Sequence, residues 1–425
     1  MQMNRRFFLH KGALAVAGTT AMPNFLVRSV LAQGVGAPGQ RLVVIFQRGA
    51  ADGLNVVVPY QEKNYYKMRP SIAIPQNQVV DLDGFFGLHP SLASFKPLYD
   101  QGKPLYDQGQ LAIVHACGSP DMSRSHFDAQ DYMESGTPGV KATEDGWLNR
   151  ALQAEDTCNC AKHRDEHTAF RALALGADVP LTLAGKIPAI AISNVNNFTV
   201  AGRGPTPSPA ASAFEAMYAD SGDRIFHAAG DETFEAVKML REANPAQYVP
   251  ASGVNYPATE FGNSMRQIAQ LLKANLGVEA AFTDVNGWDT HQNQGGVNGQ
   301  LANRLSDFSA SIAAFWRDMG DQGANVTLVT MSEFGRTARE NGTAGTDHGH
   351  ANAMFVLGGQ VKGGKVYGKW PGLEDAQLNQ GRDLALTTDY RQVLGEVVTH
   401  TLGAENLELV FPGARLSRAG FLKLV

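Results

Sequence analysis

The 425-residue chain holds only three cysteines, Cys117, Cys158 and Cys160. An odd number leaves at least one thiol unpaired, so disulfides are not what holds this fold together. None lies in the last third, which excludes a thiolate-rich structural zinc or an iron–sulfur cluster there. The chain also lacks any apolar run long enough to span a bilayer after its first residues. It lacks a basic surplus as well: 36 Lys plus Arg stand against 41 Asp plus Glu, a net charge of −5. No basic block is present to track a nucleic-acid backbone. Nucleic acid and a stable membrane span are therefore not expected partners. What remains, with 44% apolar residues, reads as a soluble globular chain with one large core or two modest ones.

The N-terminus carries Asn4-Arg5-Arg6-Phe7-Phe8-Leu9, then a weakly apolar run from Gly12 to Met22, then Val30-Leu31-Ala32 before Gln33. Paired arginines, a weak apolar run broken by Gly12 and Gly18, and a small residue before the junction resemble a twin-arginine export signal. The expectation is a removed signal over residues 1–32 and export by the twin-arginine translocation machinery. The mature protein, from residue 33, would be periplasmic or extracellular. A short amphipathic first helix is the competing reading.

Leu42-Val43-Val44-Ile45-Phe46 is a short, continuous apolar run, the pattern of a strand buried on both faces. Val326–Met331 and Ala353–Leu357 repeat it. Leu301, Leu305, Phe308, Ile312 and Phe315 recur at steps of three and four, as do Ile268, Leu271, Leu272 and Leu276, predicting amphipathic helices that cover a sheet. Strand–helix alternation with buried strands points to a three-layer α/β/α sandwich with a mostly parallel central sheet. The stretch of about 150–260 is less regular and is expected as a cap or insertion on a single domain spanning 33–425. A tandem repeat, Pro97–Lys103 followed by Pro104–Gln110, is too short to signal a repeat fold.

The chemistry lies just beyond the apolar runs, where ligands bind in open α/β sheets. Asp52 follows the first run in a glycine-punctuated turn and reads either as a metal ligand or as ordinary turn chemistry. In Ser123-Arg124-Ser125-His126, Ser125 or Ser123 would serve as nucleophile and Arg124 as holder of an anionic oxygen, unless the segment merely caps a helix. Asp289 and His291, two apart on an extended segment, would share a face and grip one ion, with Trp288 as a wall. Glu333 follows a buried run directly and reads as ligand, general base or internal partner of Arg336. Asp347, His348 and His350 complete a set of carboxylates and imidazoles suited to Zn, Mn or Fe. Cys158-Asn159-Cys160 lacks zinc spacing and is set aside.

Arg48–Asn55, Arg124–Gln130, Gly287–His291, Ser332–Thr337 and Gly345–His350, taken together and in order, resemble an exported bacterial family known only as a domain of unknown function. That family is placed in the alkaline phosphatase and sulfatase superfamily. The resemblance spans about residues 41–424. It implies an alkaline-phosphatase-like α/β/α fold and an ancestral site with two divalent metals, an early aspartate, a hydroxyl or modified-cysteine nucleophile and late Asp/His ligands. Asp52 is similar to the early aspartate, Ser125 or Ser123 falls in the nucleophile region, and Asp289 with His291 is similar to the first late pair. Asp347-His348 matches the superfamily's Asp-His-Gly, yet Glu333 occupies the place directly after the strand. Cys117, in Cys-Gly-Ser-Pro, lacks the arrangement of a modifiable sulfatase cysteine.

The expected function is an exported hydrolase acting on an anionic phosphate or sulfate ester with one or two divalent ions, Zn, Mn and Ca among them. Its metal ligands would come from Asp52, Asp289, His291, Glu333, Asp347, His348 and His350. Ser125 or Ser123 would attack, and Arg124 or Arg336 would hold an ester oxygen. The alternative is a non-catalytic exported protein that keeps the fold, in envelope assembly or polymer binding. A metallopeptidase with Glu333 as base lacks a His-Glu-x-x-His helix.

Overall fold

The run Leu42–Phe46 becomes the central part of β1 (Arg41–Arg48). Branched side chains stiff at χ1 sit well on a pleated surface. Leu42, Val44 and Phe46 enter one apolar core, while Val43 and Ile45 enter a second on the opposite face. A strand buried on both faces needs a helical layer on each side. The structure, a computed structural model, describes residues 39–100, 109–156, 168–195, 238–240 and 247–416. The twin-arginine segment, Cys158, Cys160 and the second copy of the tandem repeat up to residue 108 lie outside the described residues.

The strands that follow are β2 (Val57–Val58), β3 (Val80–Asp81), β4 (Gly87–Leu88), β5 (Leu111–Gly118), β6 (Ala172–Leu175) and β7 (Ile190–Ile192). Then come β8 (Ala280–Asn286), β9 (Val326–Met331), β10 (Asn352–Gly358), β11 (Lys365–Tyr367) and β12 (Thr388–Asp389). The main sheet runs β11-β5-β10-β9-β1-β8-β6-β7, with β12 beside β5, and β2, β4 and β3 form a small separate sheet. All pairings in the main sheet are parallel except those of β10, which is antiparallel to both β5 and β9.

Among the described residues, the helices of ten residues or more that cover it are α1 (His126–Ser135), α2 (Trp147–Asp156), α3 (Glu260–Lys273), α4 (Gln300–Met319) and α5 (Tyr390–Leu402). Leu301, Leu305, Phe308, Ile312 and Phe315 of α4 are buried beside Ile268, Leu271 and Leu272 of α3, on the face of Val43 and Ile45. Trp147, Leu148 and Leu152 of α2 join Tyr390, Val393 and Val397 of α5 on the other. The architecture is the α/β/α sandwich that the strand–helix alternation predicts. Thr259 opens α3 by accepting the Gly262 amide at 3.0 Å, and Gly136 closes α1 in the left-handed conformation, both ordinary helix punctuation.

One expectation about organisation is corrected. The stretch of about 150–260 is not wholly a cap, because β6 and β7 from within it extend the central sheet beyond β8. Strands of four and three residues carry too little periodicity to stand out in sequence. Residues 196–237 and 241–246 lie outside the described residues.

The topology decides where the polar motifs meet. β1, β8 and β9 run parallel, so Arg48, Asn286 and Met331 end on one edge of the sheet. β10 runs the other way and begins on that edge, which brings Asp347–His350 there. β5 ends there too and feeds the segment leading to α1. Five segments far apart in sequence share the carboxyl edge, where open α/β sheets bind ligands.

Candidate metal centre

Three imidazoles converge at this edge. His348 Nε2 lies 3.0 Å from His126 Nε2 and 2.9 Å from His291 Nε2. Asp289 joins them, with Oδ1 at 3.1 Å from His291 Nε2 and 3.5 Å from His348 Nε2, and Oδ2 at 3.6 Å from His126 Nε2. Ligand atoms of His126, Asp289 and His348 lie within 4.8 Å of one another. His291 adds a fourth donor against two of them. His126 and His348 are 24% exposed in the side chain, His291 38% and Asp289 46%, so the cluster faces solvent and can admit a further ligand.

The other nitrogen of each ring decides what these distances mean. His348 Nδ1 lies 2.8 Å from the Arg124 carbonyl oxygen, an acceptor only. His126 Nδ1 lies 2.8 Å from Glu333 Oε1, and His291 Nδ1 lies 3.0 Å from Asp347 Oδ1. Each Nδ1 therefore faces an acceptor, and a ring that donates through Nδ1 alone keeps its Nε2 lone pair for another partner. His348 Nε2 faces those of His126 and His291 at contact distance, and lone pairs so placed repel unless a cation stands between them. A divalent ion bound at about 2.0–2.1 Å from each nitrogen would separate cis ligand atoms by about 2.9–3.4 Å, the range of the two contacts of His348 Nε2 and of Asp289 Oδ1 with His291. The donor set fits a metal ion, and a carboxylate or carbonyl behind each histidine is the usual orienting arrangement.

The surroundings shift the two imidazoles in opposite directions and the carboxylates in one. Glu333 on Nδ1 raises the His126 imidazole above its ordinary range despite partial burial. Burial lowers His348. For Asp289, burial pushes the carboxyl up, but Arg336, His291 and His126 outweigh it and hold the group below its ordinary value. For Glu333, burial is again the largest influence and is overcome by bonds from His126, Gln130 and the Gly49 amide, so this carboxyl too is lowered. Asn341 and His291 lower Asp347. Hydrogen bonds to the ionised form account for all three carboxylates.

Glycines allow the segments to close on one another. At Gly49, with φ +114°, an added Cβ would lie 2.7 Å from the Asp289 amide nitrogen, and at Gly349 it would lie 2.3 Å from the Arg336 carbonyl carbon. Only a residue without Cβ fits either place.

Of the residues expected from sequence, Asp289, His291 and His348 come together. Glu333 and Asp347 stand one step behind, each against the Nδ1 of a histidine. Asp52 requires correction as a ligand: Arg69 takes both its oxygens at 2.6 and 2.8 Å and Gln294 donates to Oδ2 at 2.7 Å, all buried. His350 requires the same correction, since its Nε2 faces the Ser119 carbonyl at 3.0 Å rather than the cluster. Arg336 cannot hold a substrate oxygen. It is fully buried and donates to Asp289 at 2.6 Å and to the carbonyls of Gly49, Ala50, Thr346 and Trp288. Trp288 faces the core, edge-on to Phe308, rather than walling the site. Ser125 is the exposed N-cap of α1, with Oγ 3.5 Å from the Asp128 amide. The Ser123 hydroxyl accepts the Ser125 amide at 3.2 Å. Arg124 pairs with the buried Asp383 at 2.6 Å. His126 was not among the expected ligands. It stood within the motif read for its serines, at the start of a helix, 163 residues before Asp289, and its one local signal is its place directly after a capping serine.

A sequence profile described as "Protein of unknown function (DUF1501)" matches residues 39–404. No curated protein matches the chain. Among solved structures, the lipoteichoic acid synthase LtaP from Listeria monocytogenes is similar at 8% identity with a TM-score of 0.32, over 76% of this chain and 66% of that one. The PsFucS1 sulfatase from Pseudoalteromonas sp. is similar at 12% identity with a TM-score of 0.32, over 81% of this chain and 67% of that one. The chain thus spans about two thirds of each.

Proposed function

The chain belongs to the DUF1501 family of proteins of unknown function, and we propose that it is an exported, metal-dependent hydrolase of phosphate or sulfate esters. The observation that carries this reading is the meeting of three imidazole Nε2 atoms with Asp289 while every Nδ1 faces an oxygen. His126, Asp289, His291 and His348 would hold one divalent ion. Three imidazoles favour Zn, Mn or Fe over Ca, which takes oxygen ligands. One ion suffices, since Asp52 already has Arg69 as its cation.

When bound, the metal supplies Lewis acidity toward an ester oxygen. Ser125, one residue before His126 at the start of α1, is the nucleophile. Its Oγ bonds to phosphorus or sulfur as the bond to the leaving alcohol breaks. The hydroxyl proton passes from the exposed Ser125 to solvent water, which returns a proton to the departing oxygen, and a second water then cleaves the seryl ester and restores the hydroxyl. Arg124, oriented by Asp383 and Gln380 through Nη2, keeps Nη1 without a partner among the described residues and holds a non-bridging oxygen.

The test is turnover of p-nitrophenyl phosphate, bis(p-nitrophenyl) phosphate and p-nitrophenyl sulfate by metal-loaded protein. Ser125→Ala should lower the rate on the active ester by on the order of 10³-fold with metal content unchanged. A second reading has its own support: the Ser125 hydroxyl caps α1 and Arg124 is ion-paired, so both have structural work. Full metal occupancy with no turnover of any of the three esters favours that non-catalytic protein. Export is tested separately by replacing Arg5 and Arg6 together with lysine. An unprocessed chain retained in the cytoplasm is expected, and unchanged export would refute the twin-arginine assignment.

A further inference from the structure

A second cavity adjoins the metal centre through one side chain. Gln130, on α1 one turn beyond His126, donates from Nε2 to Glu333 Oε1 at 3.0 Å and accepts from Arg48 Nη1 at 3.1 Å. Residues four apart lie on one helix face, so Gln130 stands beside His126. On its far side is a cleft of about 330 Å³, within the size range of small-molecule sites, lined by Arg48, Gln130, Asp284, Phe282, Gly176 and Asp178 among others.

Its chemistry is mixed. Arg48 donates to Asp284 Oδ1 at 2.7 Å through Nε and to Glu134 Oε1 at 2.8 Å through Nη1, while Nη2 has no partner among the described residues. Two carboxylates already balance this guanidinium and Asp178 adds a third acid, so the cleft is unsuited to an anion. Of the two acids in the lining, Asp284 is held by Arg48 and Asp178 alone is left to a cation. Burial pushes the Asp284 carboxyl up to about 6 against the pull of Arg48, although its side chain is still 35% exposed toward the cleft. A donor and an acceptor side by side, Arg48 and Asp284, in a lining that also holds the apolar Phe282, suit adjacent hydroxyl groups.

We propose that this cleft binds the neutral, polyhydroxylated alcohol half of the substrate, a sugar or cyclitol ring, while the metal centre takes the anionic ester group. The proposal rests on the hydrolase reading for the words "substrate" and "ester". The binding site itself does not.

Gly176 offers a way to fill the cleft without touching the polar network. A Cβ there would meet nothing nearer than the Asp178 carbonyl at 3.9 Å, so Gly176→Leu projects into open space. Metal-loaded wild type, Gly176→Leu and Asp284→Asn are titrated with methyl hexosides and myo-inositol by calorimetry and ligand-observed NMR, with choline and inorganic phosphate as charged controls. At least one neutral ring should bind in the millimolar range, weakened about tenfold or more in both variants. Metal content and thermal unfolding check that Gly176→Leu is folded. For a phosphate ester of the bound ring, Gly176→Leu should raise KM about tenfold with kcat retained, while phenyl phosphate turnover is unchanged. No ring bound by wild type, equal binding by all three proteins, or preference for choline overturns the proposal. Ring binding lost in the variants, with no ester turned over by any protein, keeps the subsite and refutes the hydrolase.

Discussion

Replacing Glu333 by glutamine separates an orienting role from direct ligation. Glu333 Oε1 accepts from His126 Nδ1 at 2.8 Å, Gly49 N at 2.8 Å and Gln130 Nε2 at 3.0 Å, and Oε2 lies 3.1 Å from Ser332 Oγ. Ser332 gives its proton to the Gln47 carbonyl at 2.7 Å and accepts the Ala51 amide at 3.1 Å, which leaves one hydroxyl lone pair to accept. Glutamine can therefore present its carbonyl oxygen to the three donors and its amide to Ser332, keeping the packing and removing only the charge. The acceptor for His126 becomes weaker and Nε2 a poorer donor to metal. Changes of this kind behind a ligating histidine cost about 10–100-fold in metal affinity, or about 1.4–2.7 kcal/mol. Metal-free stability should fall by under about 1 kcal/mol, because a buried carboxylate is exchanged for a neutral isostere with the same bonds. A fluorescent chelator competition measures the first quantity and urea unfolding of metal-free protein the second. Unchanged metal affinity would refute the orienting role, and a loss of many orders of magnitude would make Glu333 itself a ligand.

Three further predictions follow from the same contacts. Arg69→Met leaves Asp52 buried and unpaired and should destabilise by about 3–5 kcal/mol; urea unfolding measures this, and metal stoichiometry per folded molecule should not change. His350→Gln should leave metal affinity within about twofold by the same chelator assay, since its ring faces Ser119 rather than the cluster. His115 is fully buried, accepts the Ala116 amide on Nδ1 at 2.8 Å and faces the Val57 carbonyl with Nε2 at 2.9 Å, and burial pushes it down to about 4. Its folded pKa lies below the unfolded value of about 6.5, so the unfolded chain binds the extra proton first. Its contribution is complete above about pH 6.5 and is lost toward pH 4, roughly 3 kcal/mol in all. Unfolding curves across that window should lose this slope in His115→Gln, and an unchanged slope would exclude His115 as its source.

How far the sequence could be read depended on the length of each signal. β1, β9 and α4 were legible because their apolar runs are unbroken or repeat over several turns. The parallel sheet followed from them. The reversal of β10 was not legible, since a buried strand has the same composition in either direction, yet that reversal carries His348 to the carboxyl edge. β6 and β7 were too short to declare themselves. At the site, Asp289 and His291 were legible as a pair because two residues of extended chain share a face. Asp347-His348-Gly349-His350 looked like one ligand group and is three different things: a carboxylate against His291 Nδ1, an imidazole against His291 Nε2 and a histidine facing the Ser119 carbonyl. Asp52 and Arg69 are 17 apart with no local pattern joining them, and only the fold closes that ion pair. His126 was hidden by distance, because its partners are supplied by β8 and the segment before β10.

The central claim is that His126, Asp289, His291 and His348 hold a single divalent ion. X-ray absorption at the metal edge, on purified protein of measured metal content beside His126→Ala, tests it most directly. The account predicts about one ion per chain with three imidazole nitrogens and at least one oxygen at about 2.0–2.2 Å, falling to two imidazoles and weaker binding in the variant. No bound metal under replete conditions, or a spectrum that His126→Ala leaves unchanged, would contradict it.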